Sequence, residues 1–166
     1  MRTLPRNGIA WVNETASDAM VQEAKRAFPD ETGGVCIGYW THDSKNVVIL
    51  DAIGPGPHAT HGRKHFVPDT AFHRAEISRL YQASGRLHTY LGDWHSHPMG
   101  SPGLSRRDLR TLRKISNYSP ARAKLPLMLI LSGSRKWNLK VWCYWPRDTL
   151  NWLRSRLLPL EVQIFR

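Results

Sequence analysis

The apolar residues of this chain change period along its length, and that alternation constrains the fold more than any other feature of the sequence. Segments with apolar side chains three and four residues apart, the spacing of one helix face, are interleaved with short β-branched and aromatic runs of strand character. Several of those runs are separated only by short polar turns, so neighbouring strands return as hairpins. The pattern predicts an α+β fold, a central mixed or antiparallel sheet flanked by helices, and not a doubly wound parallel sheet.

Thr15 to Phe28 carries Ala16, Ala19, Met20, Ala24 and Ala27 near helical spacing, behind Thr or Ser caps and ahead of Pro29. Val35 to Thr41 and Asn46 to Ile53 read as a hairpin across THDSK. The segment from Asp51 to Pro68 breaks this order. It holds three of the eight histidines (His58, His61, His65) among several Gly and Pro, and reads as an exposed, solvated loop, with a second metal site as the less favoured reading. Asp69 is placed to cap a helix containing Phe72, Ile77, Leu80 and Tyr81 that stops at Gly85. Thr89 to Trp94 reads as a strand running into HSHP, and Ser105 to Tyr118 as a helix with Leu109, Leu112 and Ile115 on one face. Leu125 to Leu131 and Lys136 to Trp145 give a closing hairpin across SGSR. The tail has Leu150, Leu153 and Leu157 at helical spacing, then Pro159 and a short apolar VQIF, and its placement stays open.

A chain of 166 residues suits one domain, 1–166, at roughly 100 to 200 residues per domain. Its 41% apolar fraction, with seven Trp, supplies one core and excludes intrinsic disorder. The longest apolar stretch, Leu125 to Leu131, is interrupted by Pro126 and falls far short of the ~20 residues of a bilayer crossing. The N-terminus lacks the apolar run of a secretory signal, so the expected setting is the cytoplasm, without membrane attachment. Cys36 and Cys143 lie in apolar surroundings and read as buried free thiols. With 24 Lys+Arg against 13 Asp+Glu, the net charge of +11 favours acidic partners or phosphate backbones.

The chemistry concentrates in Gly92 to Asp108, GDWHSHPMGSPGLSRRD. On a strand, a period of two points His95 and His97 to one face, a chelating arrangement. After a Pro- and Gly-containing turn, Ser105 and Asp108 open a helix, and the carboxylate can swing back toward the imidazoles. Two imidazoles and one carboxylate leave a fourth position open, as in a catalytic zinc site, and an N/O donor set without cysteine favours Zn²⁺, one per chain. Each element has an ordinary explanation by itself. A strand histidine is more often a surface or core residue, and S-x-x-D is a common helix-opening cap. The conjunction is what points to a metal.

That conjunction resembles the JAMM (JAB or MPN) metallopeptidases, whose signature is a Glu, then His-x-His, ten residues, and Asp. His95-Ser96-His97-Pro98, the ten residues Pro98 to Arg107, and Asp108 match without a gap, and Ser105 falls where the family has its Ser. Glu31-Thr32-Gly33-Gly34 looks like the family's E-x-G-G segment. The resemblance spans roughly Glu31 to Leu131 and implies the cytidine-deaminase-like JAB/MPN fold. It implies metal ligands His95, His97 and Asp108, with Glu31 as general base and Ser105 as oxyanion donor. The DWHSHP and GPGP contexts and the small size are most similar to stand-alone bacterial members found with mobile elements and CBASS anti-phage operons, which remove a ubiquitin-like conjugation from a target protein. The implied partner is therefore a ubiquitin-like protein, or a target conjugated through its C-terminus. The principal alternative is a non-catalytic module of the same fold that binds nucleic acid or an acidic protein, motivated by the charge and by Arg106, Arg107, Arg110, Arg113 and Lys114 on one helix. Cleavage of small-molecule amides is a third. Asp93, two residues before His95, reads equally as a support for a ligand imidazole or as a solvated strand acid, and Trp94 reads as core.

Overall fold

The structure, a computed structural model, describes residues 8–123, 125–145 and 156–166. Its elements are β1 (Ile9–Asn13), α1 (Glu14–Ala27), β2 (Gly33–Trp40), β3 (Val47–Ile53), β4 (Thr60–Gly62), β5 (His65–Val67), α2 (Thr70–Ala83), β6 (Thr89–Pro98), α3 (Arg106–Asn117), a 3₁₀ turn (Ser119–Ala121), β7 (Leu127–Gly133), β8 (Trp137–Trp145) and β9 (Arg156–Phe165). The expected α+β class holds. β2 pairs antiparallel with β3 and β6, and β6 runs parallel to β7 across the α3 crossover. β7, β8 and β9 pair antiparallel in turn. β1 lies parallel to both β3 and β9, so the ladder of pairings returns on itself and leaves no edge in the main sheet.

The continuous apolar run of β7 follows from burial on both faces. Leu127, Leu129 and Leu131 enter the core that Met20 and Ala24 of α1 help to build, whereas Met128 and Ile130 pack with Leu112 beneath α3. β2 divides in the same way: Cys36 joins the α1 core, while Val35 and Ile37 meet Phe72, Ile77 and Leu80 of α2. Helix α1 thus covers one face of the sheet, and α2 and α3 cover the other. Both cysteines are free and buried, and burial pushes the Cys143 thiol up to about 12. Trp94 is core, its indole N–H donating to the Ile53 carbonyl at 3.0 Å.

Three details differ from the sequence reading. Asn13, not a Thr or Ser, caps α1 by accepting from the Thr15 amide at 2.9 Å. The histidine-bearing loop folds part of its length into the β4–β5 hairpin, although its histidines are exposed as expected. Leu157 lies in β9, which also contains Pro159, and not on a helix face; Leu150 and Leu153 fall outside the described residues. Asp69 caps α2 as expected, accepting from Phe72 at 3.0 Å, and the chain leaves that helix through Gly85 at φ 65°. Among the described residues no helix is long and apolar enough to cross a membrane.

Leu129 is fully buried and Leu87 is 72% exposed. Leu129→Ala is expected to lower the unfolding free energy by about 2–5 kcal/mol, and Leu87→Ala to leave it within about 0.5 kcal/mol, measured as urea midpoints at unchanged slope.

Candidate metal centre

β6 carries HSH as a regular strand, and its alternation sorts the three side chains. His95 and His97 emerge on the face shared with α2 and α3, while Ser96 turns inward and is fully buried. The two imidazole Nε2 atoms converge to 2.8 Å. His97 Nδ1 lies 2.9 Å from the Ser101 carbonyl, which calls for an N–H there and leaves the Nε2 lone pair directed inward. The loop that supplies this carbonyl is pinned, since the Met99 amide donates to Gly133 at 2.8 Å and the Trp142 indole donates to Pro102 at 3.2 Å.

The third donor comes from the first turn of α3. Ser105 and Asp108 form a reciprocal capping box: the Ser105 hydroxyl oxygen accepts from the Asp108 amide at 3.2 Å, and the Asp108 carboxylate accepts from the Ser105 amide at 2.6 Å. The same buried carboxylate reaches the imidazoles, with Oδ1 at 3.2 Å from His95 Nε2 and Oδ2 at 3.8 Å from His97 Nε2. The capping and ligand readings of S-x-x-D are therefore compatible in one geometry. Burial pushes the Asp108 carboxyl upward, but the hydrogen bond and charge of His95 and the bonds from Ser105 hold it below its ordinary value.

Glu31 reaches the same place from the start of β2. Its amide donates to the Gly62 carbonyl at 2.9 Å, and its carbonyl lies 3.0 Å from His61 Nδ1, so the β4–β5 hairpin holds it on one side. On the other side the next residue, Thr32, is tied to β6 twice: its amide donates to Ser96 Oγ at 3.0 Å, and its carbonyl accepts from the Ser96 amide at 2.8 Å. The glycines that follow permit this close approach. A Cβ on Gly33 would sit 2.8 Å from the His95 Cβ, and one on Gly34 would collide with the Ile53 carbonyl. Glu31, His95 and Asp108 line one cleft of about 260 Å³, walled by Phe66 of β5 and Arg107 of α3. Burial raises the Glu31 carboxyl above its ordinary value, opposed by the charges of His95 and His97.

The donor set fits a metal ion. His95, His97 and Asp108 offer three ligand atoms within 4.8 Å of one another. Tetrahedral zinc with ligand atoms at about 2.0–2.2 Å sets them roughly 3.3 Å apart; the two Nε2 atoms are 2.8 Å apart, and one or other Asp108 oxygen lies 3.2 Å from His95 Nε2 and 3.8 Å from His97 Nε2.

Residues 13–144 match the family model described as prokaryotic homologs of the JAB domain. The chain belongs to this family. It is 40% identical over 136 residues to a probable metalloprotease, y4qB, of Sinorhizobium fredii, covering 81% of this chain and 82% of that one. It is 32% identical over 125 residues to a CD-NTase/cGAS isopeptidase of Enterobacter hormaechei subsp. hoffmannii, covering 74% of this chain and 66% of that protein. The solution structure of protein DSY2949 from Desulfitobacterium hafniense shares the fold, with a TM-score of 0.65 over 94% of this chain and 92% of that one at 18% identity. With relatives of these names at this similarity, the chain is a peptidase of the JAB family, and that family implies a metal cofactor.

Other residues fall into place around this centre. Asp93 accepts the Tyr90 hydroxyl at 2.6 Å, and among the described residues no hydrogen bond joins it to a ligand imidazole. It lines the cleft beside His73 and is not a solvated acid; burial raises its carboxyl, opposed by Tyr90 and by the charges of His73 and His95. His58, His61 and His65 form no three-donor cluster with one another. The sequence reading missed the hold of His61 and Gly62 on Glu31. The available signal was THG and HFV flanking the two-residue turn Arg63-Lys64, a hairpin pattern inside a stretch dominated by Gly and Pro.

Ser105→Ala removes the oxygen that caps α3 and is expected to cost about 1 kcal/mol of stability, with Ser105→Asp retaining most of it. Chemical denaturation of the three proteins in parallel checks this.

Proposed function

We propose that this chain, a single JAMM/JAB domain over 1–166, is a zinc-dependent isopeptidase or peptidase that cleaves after the C-terminus of a ubiquitin-like protein. The observation that carries the reading is that Glu31 lines one cleft with His95 and Asp108, whose donor atoms cluster with that of His97. The relative named CD-NTase/cGAS isopeptidase supports a conjugated protein as the substrate class, and the proposal extends to a cytoplasmic setting in the regulation of anti-phage defence.

In this reading His95, His97 and Asp108 hold one Zn²⁺, which when bound supplies a Lewis acid that polarises a carbonyl and makes water more acidic. Glu31 is the general base. Its carboxylate takes a proton from the attacking water and returns it to the leaving nitrogen as the C–N bond breaks, yielding a free carboxylate on one product and an amine on the other. The bonds with Gly62, His61 and Ser96 fix the backbone on both sides of Glu31, which limits where its carboxylate can reach. Ser105 uses its oxygen lone pair for the helix cap and keeps its O–H to donate to the developing oxyanion.

Glu31→Gln keeps the size and hydrogen bonding of the side chain but removes the base. It is expected to lower turnover by ~100-fold or more on a ubiquitin-like protein joined through its C-terminus to a carrier lysine, with metal content unchanged. Turnover retained in this variant would remove Glu31 from the role. Parallel trials on a linear fusion of the same two proteins separate isopeptide from peptide preference.

A further inference from the structure

Helix α3 carries Arg106, Arg107, Arg110, Arg113 and Lys114, all exposed, and its single acid, Asp108, is turned into the metal centre. The other two helices offset some of their charge internally, through Arg26 with Glu23 on α1 and Arg79 with Glu76 on α2. Among the described residues none of the five α3 cations lies within ion-pair distance of a carboxylate. Arg106 and Arg107 also sit in the first turn, where the helix dipole favours acids, and Arg106, Arg110 and Lys114 repeat like charge at four-residue spacing, which a lone helix disfavours. Lys114 in the last turn suits the helix dipole, but the remaining cations on this face have no carboxylate partner among the described residues.

The cations share one exposed face, and Arg110 and Arg113 continue along α3 by about 10 Å from the end where Arg107 lines the cleft beside Glu31 and His95. A chain whose scissile bond lies in the cleft and that leaves it over Arg107 meets Arg110 and Arg113 next. We infer that the exposed face of α3 is a docking surface for an acidic segment of the protein substrate, flanking the bond that the cleft holds. The inference rests on the peptidase reading of that cleft, and continuity with it favours a protein over a nucleic acid.

The test measures binding of a fluorescein-labelled oligoglutamate peptide by fluorescence anisotropy. Wild type is compared with the double variant Arg110→Glu, Arg113→Glu, with the milder Arg110→Gln, Arg113→Gln, and with Arg135→Glu, Lys136→Glu, which changes net charge equally at the exposed β7–β8 turn. The expected result is loss of ~10-fold or more in affinity for the first variant, an intermediate loss for the second, less than ~3-fold for the turn variant, and weakening of wild-type binding as salt is raised. Equal losses in the two Glu pairs would reduce the effect to net charge and overturn the inference, as would absence of binding. Tighter binding of single-stranded oligodeoxythymidine, lost in the same α3 variant, would assign the face to nucleic acid instead. The probe needs no turnover, so repeating the measurement on Glu31→Gln and on chelator-treated protein separates failure of the docking surface from failure of the peptidase reading.

Discussion

The site depends on the pairing of β2 with β6, and within it on the two hydrogen bonds between Ser96 and Thr32. Strand alternation gives one tripeptide two tasks. His95 and His97 face outward as donors, and the serine between them faces inward and fixes the chain next to Glu31. Because the register is set by buried neighbours on both sides, a one-residue slip would turn the serine out and bury the imidazoles, which a packed sheet strongly resists. Glu31 and the two imidazoles are thus located by backbone bonding, before any ion is considered.

Asp108 is located by a different constraint. Helix α3 needs its first amides satisfied, and the capping box does this with a carboxylate whose remaining lone pairs point at the histidines. Leu112 one turn further on, buried with Met128 and Ile130, seats the helix on the sheet. Helix termination, sheet packing and the donor cluster are therefore one arrangement, in a chain with only 13 acids against 24 cations. The acids near the cleft are held by specific bonds or burial, whereas the basic excess on α3 has no internal partner among the described residues.

Much of this was legible in the sequence because its signals were local. H-x-H on a strand and S-x-x-D at a helix start need only the two standard periods to be read as donors on one face, and the structure brings those donors together. The apolar run Leu125 to Leu131 was read as one arm of a closing hairpin, and β7 pairs with β8 in that way. What was not legible depended on distant partners. β1 is five residues long and gains its place only by lying between β3 and β9. In β9, Leu157 belongs to a strand that also accommodates Pro159, so the leucine spacing that left the tail unplaced gave no sign of the strand. The β4–β5 hairpin is mostly exposed and leaves no alternating apolar trace, so only the THG and HFV segments around their short turn hinted at it, and the support it gives Glu31 through His61 and Gly62 depends on a pairing the sequence does not show. Glu31 itself came from the resemblance of its segment to a family motif, because nothing in one loop carboxylate distinguishes it from another.

The proposed zinc centre of His95, His97 and Asp108 stands or falls on its metal content. Its most direct test is elemental mass spectrometry on purified wild type and Asp108→Ala prepared in parallel, each after zinc reconstitution and removal of free ion. About one zinc per chain is expected in the wild type and a large loss in the variant. Wild type without zinc, or a variant that holds as much as the wild type, would contradict it.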